Sequence, residues 1–170
     1  ADIDHYLYDD NVRIPLLFTG YNVAKNKIIS QQTRSIDIFP TISEITGVVL
    51  QDEHIDGQSL KPLIIDKLLE EKPAYIESNP LVMVDSNDVI GIRTSKFKYF
   101  RDKDDATKRV HLFDLTVDPY EENNISSDEK LVQKCENILI SIVKDFSSNN
   151  SENAPESDEI EQELRKLGYV

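Results

Sequence analysis

The feature that most constrains the fold is an apolar stripe at helical spacing in the last third of the chain. Apolar side chains recur there every three or four residues, which is the period of one helix face, and they are Leu131, Cys135, Ile138, Leu139, Ile142 and Phe146. The stripe predicts an amphipathic helix over residues 128–146, with Ser126 and Glu129 at the spacing of a capping box. Such a helix has to bury its stripe against another element.

Short segments before this helix have the composition of β-strands. They alternate or cluster apolar residues between turn-like breaks and read AYIES, VIGIRTS, FKYFRD and RVHLFDL. Residues 94–96 predict a hairpin turn, and residues 102–108 (DKDDATK) predict a longer polar loop. We therefore expect an α+β unit in which a small antiparallel sheet packs on the long helix.

The first part of the chain predicts mixed structure. Residues 12–18, VRIPLLF, predict a short buried strand, although Pro15 requires an edge or a bulge. The segment SIDIFPTISEITG predicts a helix with Pro40 in its first turn, Gly47 as its C-terminal cap, and an apolar face made of Ile38, Ile42 and Ile45. The segment DGQSLKPLI predicts an Asp-Gly turn followed by a short apolar segment.

Composition excludes several classes of protein. A chain of 170 residues fits one domain with an appended tail. Its net charge of −13 argues against nucleic acid or an anionic membrane as a general partner. It has no apolar run of about 18 residues that would span a bilayer, and its first residues, ADIDHYLYDD, are not a signal peptide. One cysteine excludes an intrachain disulfide, and its place on the helix stripe predicts a buried thiol rather than a nucleophile.

The acid-rich segment LFDLTVDPYEENNI, residues 112–125, has two interpretations. Its carboxylates are Asp114, Asp118, Glu121 and Glu122, and oxygen ligands of this kind suit a hard cation such as calcium. However, the segment has no glycine for the bend of a calcium loop, and Asp118-Pro119 is typical of a turn. The pattern favours a structural turn, so we assign no metal ligand to it.

Two further candidates involve positively charged or titratable residues. His5, with the carboxylates of Asp9 and Asp10, precedes the predicted first strand, where an imidazole could reach a cleft, although a surface histidine on a chain terminus is the simpler interpretation. Residues 93–109 are the one basic-leaning part of the chain and predict either a solvated hairpin or an anion-facing edge. The chain has no Gly-rich phosphate loop, Walker motif or G-x-S-x-G elbow.

Several segments, in this order, resemble the C-terminal portion of a sulfatase of the alkaline-phosphatase superfamily. They are HYLYDDNVRIPLLF, SIDIFPTISEITG, DGQSLKPLI, IRTSKFKYF and LFDLTVDPYEENNI, and the chain closes on LRKLGYV, which is similar to a common sulfatase ending. The resemblance implies that LFDL…DP…E…N is a scaffold signature rather than a metal site. It also implies an α+β portion of an α/β alkaline-phosphatase-like fold.

The resemblance implies a division of the chain and a missing catalytic part. Residues 1–72 would end the large α/β domain, residues 73–146 would form the small antiparallel-sheet subdomain with its helix, residues 147–157 an acidic linker and residues 158–170 a terminal helix. Sulfatases use calcium and a formylglycine made from Cys or Ser in a Cys/Ser-x-Pro-x-Arg motif. This motif does not occur here, because Cys135 is followed by ENIL. The metal pair of the family is expected before residue 1.

The resemblance transfers one active-site role to this chain. A His or Lys shortly before the family's Tyr-Asp/Glu pair contacts sulfate in many sulfatases, and His5 matches that position. The segment IDHYLYDD differs from the family at this point in having fewer glycines. Arg93 and Lys96 are candidates for facing the substrate cleft.

The expected function is therefore that of the C-terminal part of a sulfatase-like hydrolase, inactive alone because it lacks the nucleophile and most metal ligands. The alternatives are part of a phosphoesterase or phosphotransferase of the same superfamily, or a non-catalytic binding module. The expected partners are the missing N-terminal catalytic domain and, for the full enzyme, a sulfated small molecule or glycan. Without disulfides we expect the cytoplasm, or a secreted or periplasmic location if a signal peptide precedes the chain.

Overall fold

A computed structural model describes residues 7–20, 23–48, 55–78 and 88–153 of the chain, with side chains as far as residue 146. The chain forms two compact units, Ala1–Leu139 and Ile140–Val170. The elements in chain order are α1 (Asp9–Val12), a 3-10 turn (Ser35–Asp37), α2 (Ile38–Thr46), α3 (Lys61–Ile64), β1 (Ala74–Ser78), β2 (Val89–Arg93), β3 (Phe97–Asp102), β4 (His111–Asp114) and α4 (Glu129–Asn153).

The four strands form an antiparallel meander in the order β1-β2-β3-β4. Their positions confirm the segments that the alternation of apolar residues predicts. The predicted hairpin turn is also confirmed, since the Thr94 amide donates to the Phe97 carbonyl at 2.8 Å. Antiparallel neighbours need no crossover connection, so consecutive strands can lie side by side in the sheet.

Both faces of this sheet are covered within the first unit. On one side, here called the front face, Leu7 is buried with Val89, Phe100 and Phe113. The other side of the sheet, here called the helix face, carries Ile92, Tyr99 and Leu112, because successive side chains of a strand point to opposite faces. These side chains face the first turns of α4, where Cys135 and Leu139 are buried. The small antiparallel sheet packed on a long helix is confirmed, with the N-terminal segment as an additional cover that we did not predict.

Polar side chains hold α2 against the Asp-Gly turn. Asp37 is buried and its carboxylate accepts hydrogen bonds from the backbone amides of Arg34 and Gln58, both at 2.9 Å. The Thr41 hydroxyl donates to the Asp37 carbonyl and accepts from the Leu60 amide at 2.8 Å. The segments SIDIFPTISEITG and DGQSLKPLI are therefore joined by hydrogen bonds. Helix α2 ends as predicted at Gly47, whose φ is 74°.

The expected buried strand at residues 12–18 is wrong. Val12 ends α1, and no strand is assigned to residues 13–18. Leu17 is 84% exposed and Ile14 is 66% exposed. A strand needs a neighbour for its backbone hydrogen bonds, and no described strand lies beside this segment; Pro15 in addition lacks an amide to donate.

The helices differ from the prediction at their faces and ends. Ile42 and Ile45 share one face of α2 as predicted, yet this face is exposed. Helix α4 extends to Asn153 rather than ending at Phe146, because a helix can continue through polar residues beyond its apolar stripe. Its first turn is capped by Asp128, whose carboxylate accepts from the Leu131 amide at 3.1 Å, rather than by the predicted Ser126. The expected limits at residues 72, 146 and 157 stay predictions.

Candidate functional site

The segment that follows His5 is anchored on the front face. His5 itself lies outside the described residues. Leu7, two positions later, is 1% exposed. The Tyr8 ring packs against the rings of Phe100 and Phe113, with centroids 5.8 and 5.6 Å away. Apolar burial and ring contacts together fix where the chain enters α1.

Arg93 is engaged by the first turn of α1 rather than open to solvent. Its guanidinium donates to both carboxylate oxygens of Asp9, at 2.8 and 2.6 Å, and to the side-chain oxygen of Gln32 at 2.5 Å. The paired contact is the bidentate geometry in which guanidinium and carboxylate interact best. Arg93 therefore binds a carboxylate of the same chain. The sequence suggested Arg93 as a residue of the substrate cleft and did not predict this contact.

Lys98 completes a cluster that the sequence did not predict. Its side chain is fully buried, and its Nζ atom lies 2.5 Å from an oxygen of Asp9 and 2.5 Å from an oxygen of Glu121. These contacts are ion pairs whose angles fall outside hydrogen-bond geometry. The second oxygen of Glu121 accepts the backbone amide of Asp9 at 2.7 Å. We call Asp9, Arg93, Lys98 and Glu121 the ion cluster.

The ion cluster balances two cations with two anions. Burial alone would raise the pKa of Asp9, but the hydrogen bonds from Arg93 and the positive charges of Lys98 and Arg93 outweigh it and lower the pKa to about 2. Asp9 in turn raises the pKa of Arg93 by accepting its hydrogen bonds. Buried charges are tolerated when they are paired in this way. The Asp9 carboxylate is thus held ionised at neutral pH by groups of the protein itself.

The residues of the ion cluster lie in three separate segments of the sequence. Asp9 belongs to the segment HYLYDD, Lys98 to SKFKYF and Glu121 to VDPYEEN. Each residue stands in a segment that resembles the sulfatase pattern, but their sequence separation hides the contact. Only the tertiary structure brings them together.

Lys96, the other predicted cleft residue, is exposed at the turn between β2 and β3. It borders a cavity of about 350 Å³ between this turn and α4. The remaining lining residues are mainly apolar and comprise Glu71, Ile92, Thr94, Ser95, Phe97, Leu131, Lys134, Cys135 and Ile138. The structure therefore places Lys96 beside a concavity on the helix side of the sheet, whereas the ion cluster lies on the front face.

The acid-rich segment 112–125 forms a turn, as its sequence predicted. The Asp114 carboxylate accepts the Thr116 amide at 3.0 Å, and the two Asp118 oxygens accept the amides of Glu122 and Asn123 at 3.1 and 2.8 Å. Glu121 is used by Lys98. Within the described ranges no group of three or more His, Cys, Asp or Glu residues could hold a metal ion. The carboxylates of Asp114 and Asp118 thus serve as acceptors for the backbone of their own segment.

The side chain of Cys135 is buried on α4, and burial raises the pKa of its thiol. A thiol of this kind stays protonated and is a poor nucleophile. Beside it, Glu136 reaches the helix face of the sheet, where it accepts the Tyr99 hydroxyl at 2.7 Å and the Arg101 guanidinium at 2.9 Å. Burial alone would raise the pKa of Glu136, but the hydrogen bonds from Arg101 and Tyr99 outweigh burial, so the pKa is lowered. This second polar contact joins α4 to the sheet.

In the part of the chain that the structure describes, no helix has the length and hydropathy needed to cross a membrane.

Comparison with known proteins finds a family that this chain matches. Residues 3–148 match the family described as N-sulphoglucosamine sulphohydrolase, C-terminal. Arylsulfatase K from Gallus gallus is 30% identical over 145 residues, which are 81% of this chain and 27% of that protein.

Solved structures agree with this match. The structure of BT4656 in complex with its substrate D-glucosamine-2-N,6-O-disulfate has a TM-score of 0.50 and 25% identity, and covers 71% of this chain and 25% of that one. The structure of BT1596, a 2-O GAG sulfatase, has a TM-score of 0.59 at 17% identity, covers 79% of this chain and 29% of that one, and supports the fold. The chain spans about a quarter of the length of the relatives it matches.

Proposed function

This chain belongs to the N-sulphoglucosamine sulphohydrolase C-terminal family, and from this we propose that it serves as the C-terminal part of an enzyme that cleaves sulfate esters. The observation that carries the proposal is the family match over residues 3–148. The ion cluster supports it, because residues from three sulfatase-like segments meet in one buried contact. Taken alone, the chain would have no hydrolase activity.

The proposed substrate is a sulfated glucosamine-type sugar or glycan. A protein of similar fold was solved with D-glucosamine-2-N,6-O-disulfate as its substrate. In our proposal His5 contacts the sulfate, where a cation would stabilise negative charge on the transferring oxygens. Lys96, exposed beside the cavity, is the proposed cleft residue, whereas Arg93 supports the site through Asp9.

The calcium ion and the formylglycine implied by the family do not fit the described part of this chain. Asp114 and Asp118 accept backbone amides, Glu121 pairs with Lys98, and Cys135 stands outside a Cys/Ser-x-Pro-x-Arg motif. The catalytic portion, which corresponds to the other three quarters of the relatives, would have to supply both groups. In this proposal the present chain holds neither the calcium ion nor the formylglycine.

The proposed partner is that catalytic portion, and the surface we expect to receive it is the exposed face of α2. This α2 apolar surface consists of Ile36, Phe39, Ile42, Ile45 and Val48, which are between 43% and 62% exposed. Contiguous apolar patches of this kind typically mark interfaces. The buried side of the same helix is polar, and its polar groups are hydrogen-bonded within the chain. The Thr41 hydroxyl donates to the Asp37 carbonyl, and the Asp37 carboxylate accepts the Gln58 amide. The amphipathic helix thus presents its apolar side outward.

The test is to read the coding sequence around this chain and to assay the complete gene product. Hydrolysis of an aryl sulfate and of N- or O-sulfated glucosamine is the expected result, with a Cys/Ser-x-Pro-x-Arg motif upstream. Hydrolysis of phosphate esters in preference to sulfate esters would favour the phosphoesterase alternative. A gene product without the motif and without either activity would favour the non-catalytic binding module.

A further inference from the structure

We propose that the cavity between the β2–β3 turn and α4 is a binding site for an amphiphilic anion, a molecule with an unbranched alkyl chain and one negatively charged head group. The alkyl chain enters the cavity, and the head group contacts Lys96 and Lys134, here called the rim lysines. This inference goes beyond the proposed function, because the site belongs to the present chain and requires no hydrolysis.

The walls of the cavity are apolar. Its volume is about 350 Å³, and small-molecule sites in proteins typically measure roughly 300–1,000 Å³. The apolar lining side chains come from the sheet and from one face of α4, and they are Ile92, Phe97, Leu131, Cys135 and Ile138. All of them lie in the first compact unit, Ala1–Leu139. An alkyl chain in contact with these side chains is removed from water, which drives the binding of apolar groups.

The polar groups beside these walls are hydrogen-bonded within the chain. Glu71, the one carboxylate among the lining residues, accepts the Ser95 amide at 2.7 Å and also the Ser95 hydroxyl. The Thr94 hydroxyl donates to the Phe97 carbonyl at 3.1 Å. A ligand with polar groups along its length would lose hydrogen bonds to water in the cavity. A plain hydrocarbon chain has no such cost.

The rim lysines supply the charge that selects an anion. Both are exposed, and neither forms an ion pair with another residue in the ranges that the structure describes. Two lysines against the single carboxylate of Glu71 leave the lining with an excess of positive charge, although the whole chain carries −13. A concave site lined by one sign of charge attracts ligands of the opposite sign.

This assignment also decides between two interpretations of the sequence. Residues 93–109, which include Lys96, predict either a solvated hairpin or an anion-facing edge. The second interpretation now has a place in the fold, where the turn after β2 and the first turns of α4 each contribute one exposed lysine to the same cavity.

The first experiment uses decanoate as the probe and follows isoleucine and leucine methyl groups by NMR in the 170-residue chain. We expect saturable shifts at Ile92, Leu131 and Ile138, and none at Ile42 and Ile45 of the α2 apolar surface. Octanoate, which is two methylenes shorter, should bind about tenfold more weakly. Decyltrimethylammonium has the same alkyl chain with the opposite charge and should bind more weakly than decanoate by at least about tenfold.

The second experiment reverses the charge of the rim lysines. Lys96→Glu/Lys134→Glu should weaken decanoate binding by at least about tenfold, because two attractions become repulsions. Lys67→Glu/Lys130→Glu makes the same change in net charge at two exposed lysines outside the lining and is the matched control. At physiological salt the control should change the affinity by less than about twofold, because distant exposed charges are screened. Equal weakening in the two double variants would overturn the head-group contact.

The third experiment fills the cavity. Ile138→Trp places a larger side chain in the lining and should abolish the decanoate-induced shift at Ile92. Ile140→Trp, two positions further along α4 and outside the lining, is the matched control and should leave that shift unchanged. If Ile138→Trp does not fold, the rim-lysine variants, which alter exposed side chains only, still decide the proposal.

The remaining outcomes are separable from the proposed function. Shifts confined to the α2 apolar surface, or equal binding of decanoate and decyltrimethylammonium, would overturn the proposal. Decanoate binding to the present chain but not to the complete gene product would mean that the catalytic portion covers the cavity, and the ligand assignment would be wrong. Sulfate-ester hydrolysis by the complete gene product is a different readout, so its absence would refute the proposed function while leaving decanoate binding intact.

Discussion

Arg93 and Lys98 stand directly opposite each other on β2 and β3, with both side chains on the front face of the sheet. Two like charges at facing positions destabilise a strand pair. The pair is tolerated because Asp9 and Glu121 lie over it and bring the net charge of the cluster to zero. The sheet therefore depends on residues far away in the sequence for its own electrostatic balance.

Lys98→Met should lower the free energy of unfolding by about 3 kcal/mol, because it leaves the Glu121 carboxylate buried without a cation. Urea denaturation followed by circular dichroism measures the change. Lys130→Met, at an exposed position near the start of α4, is the control and should change stability by less than about 0.5 kcal/mol. Equal losses in the two variants would mean that the cluster contributes nothing specific.

Glu136→Gln should lower the free energy of unfolding by about 1–3 kcal/mol, since Tyr99 and Arg101 lose a charged acceptor at the junction of α4 with the sheet. Tyr99→Phe should cost less, about 1 kcal/mol, because Arg101 still satisfies the carboxylate. The same denaturation assay ranks the two variants. A larger loss for Tyr99→Phe than for Glu136→Gln would contradict the assignment of Glu136 as the shared acceptor.

Gly57→Ala should destabilise the chain more than Gly47→Ala. A Cβ at residue 57 would lie 2.0 Å from the carbonyl oxygen of Ile36, so the backbones of the Asp-Gly turn and of the 3-10 turn before α2 would have to separate. At residue 47 the space is open, and the cost is that of an L-residue at a φ of +74°, about 1 kcal/mol. Thermal unfolding of the two variants gives the order, and the reverse order would refute the close approach.

Acid should weaken the contribution of Asp9 to stability. The folded-state pKa, about 2, lies below the ordinary value of 3.8, so the stabilisation is fully present above pH 4 and is lost as the pH falls toward 2. The difference in urea midpoint between the unaltered chain and Asp9→Asn should therefore shrink across this range. Asp10→Asn, at the exposed neighbour, is the control, and a difference that stays constant down to about pH 2.5 would argue against a depressed pKa.

The α2 apolar surface should make the isolated chain self-associate or bind the catalytic portion. Sedimentation should show Phe39→Ser shifting the chain toward the monomer, because the Phe39 side chain is 62% exposed at the centre of the surface. Leu68→Ser, at a fully exposed leucine away from α2, is the matched control. A monodisperse monomer for the unaltered chain, together with no capture of the catalytic portion, would remove this surface from the proposal.

Local patterns were sufficient for the elements of the small sheet. Alternation of apolar residues located all four strands, and the stripe from Leu131 located α4, because each of these elements buries a face within this chain. The same reasoning failed at residues 12–18 and at the outer face of α2. There the apolar pattern is present, but the described chain provides nothing to cover it, so hydrophobicity predicted burial that does not occur.

The sequence by itself determined the family, the four strands with α4 after them, and the nature of the acid-rich turn, since these depend on short segments and their spacing. Only the tertiary structure decided that Asp9, Arg93, Lys98 and Glu121 form one buried cluster, and that Arg93 is occupied by an internal carboxylate. The reason is physical. An ion pair depends on distances of a few ångströms between atoms, and residues separated by 84 positions, as Asp9 and Arg93 are, leave no local pattern that reports such a distance.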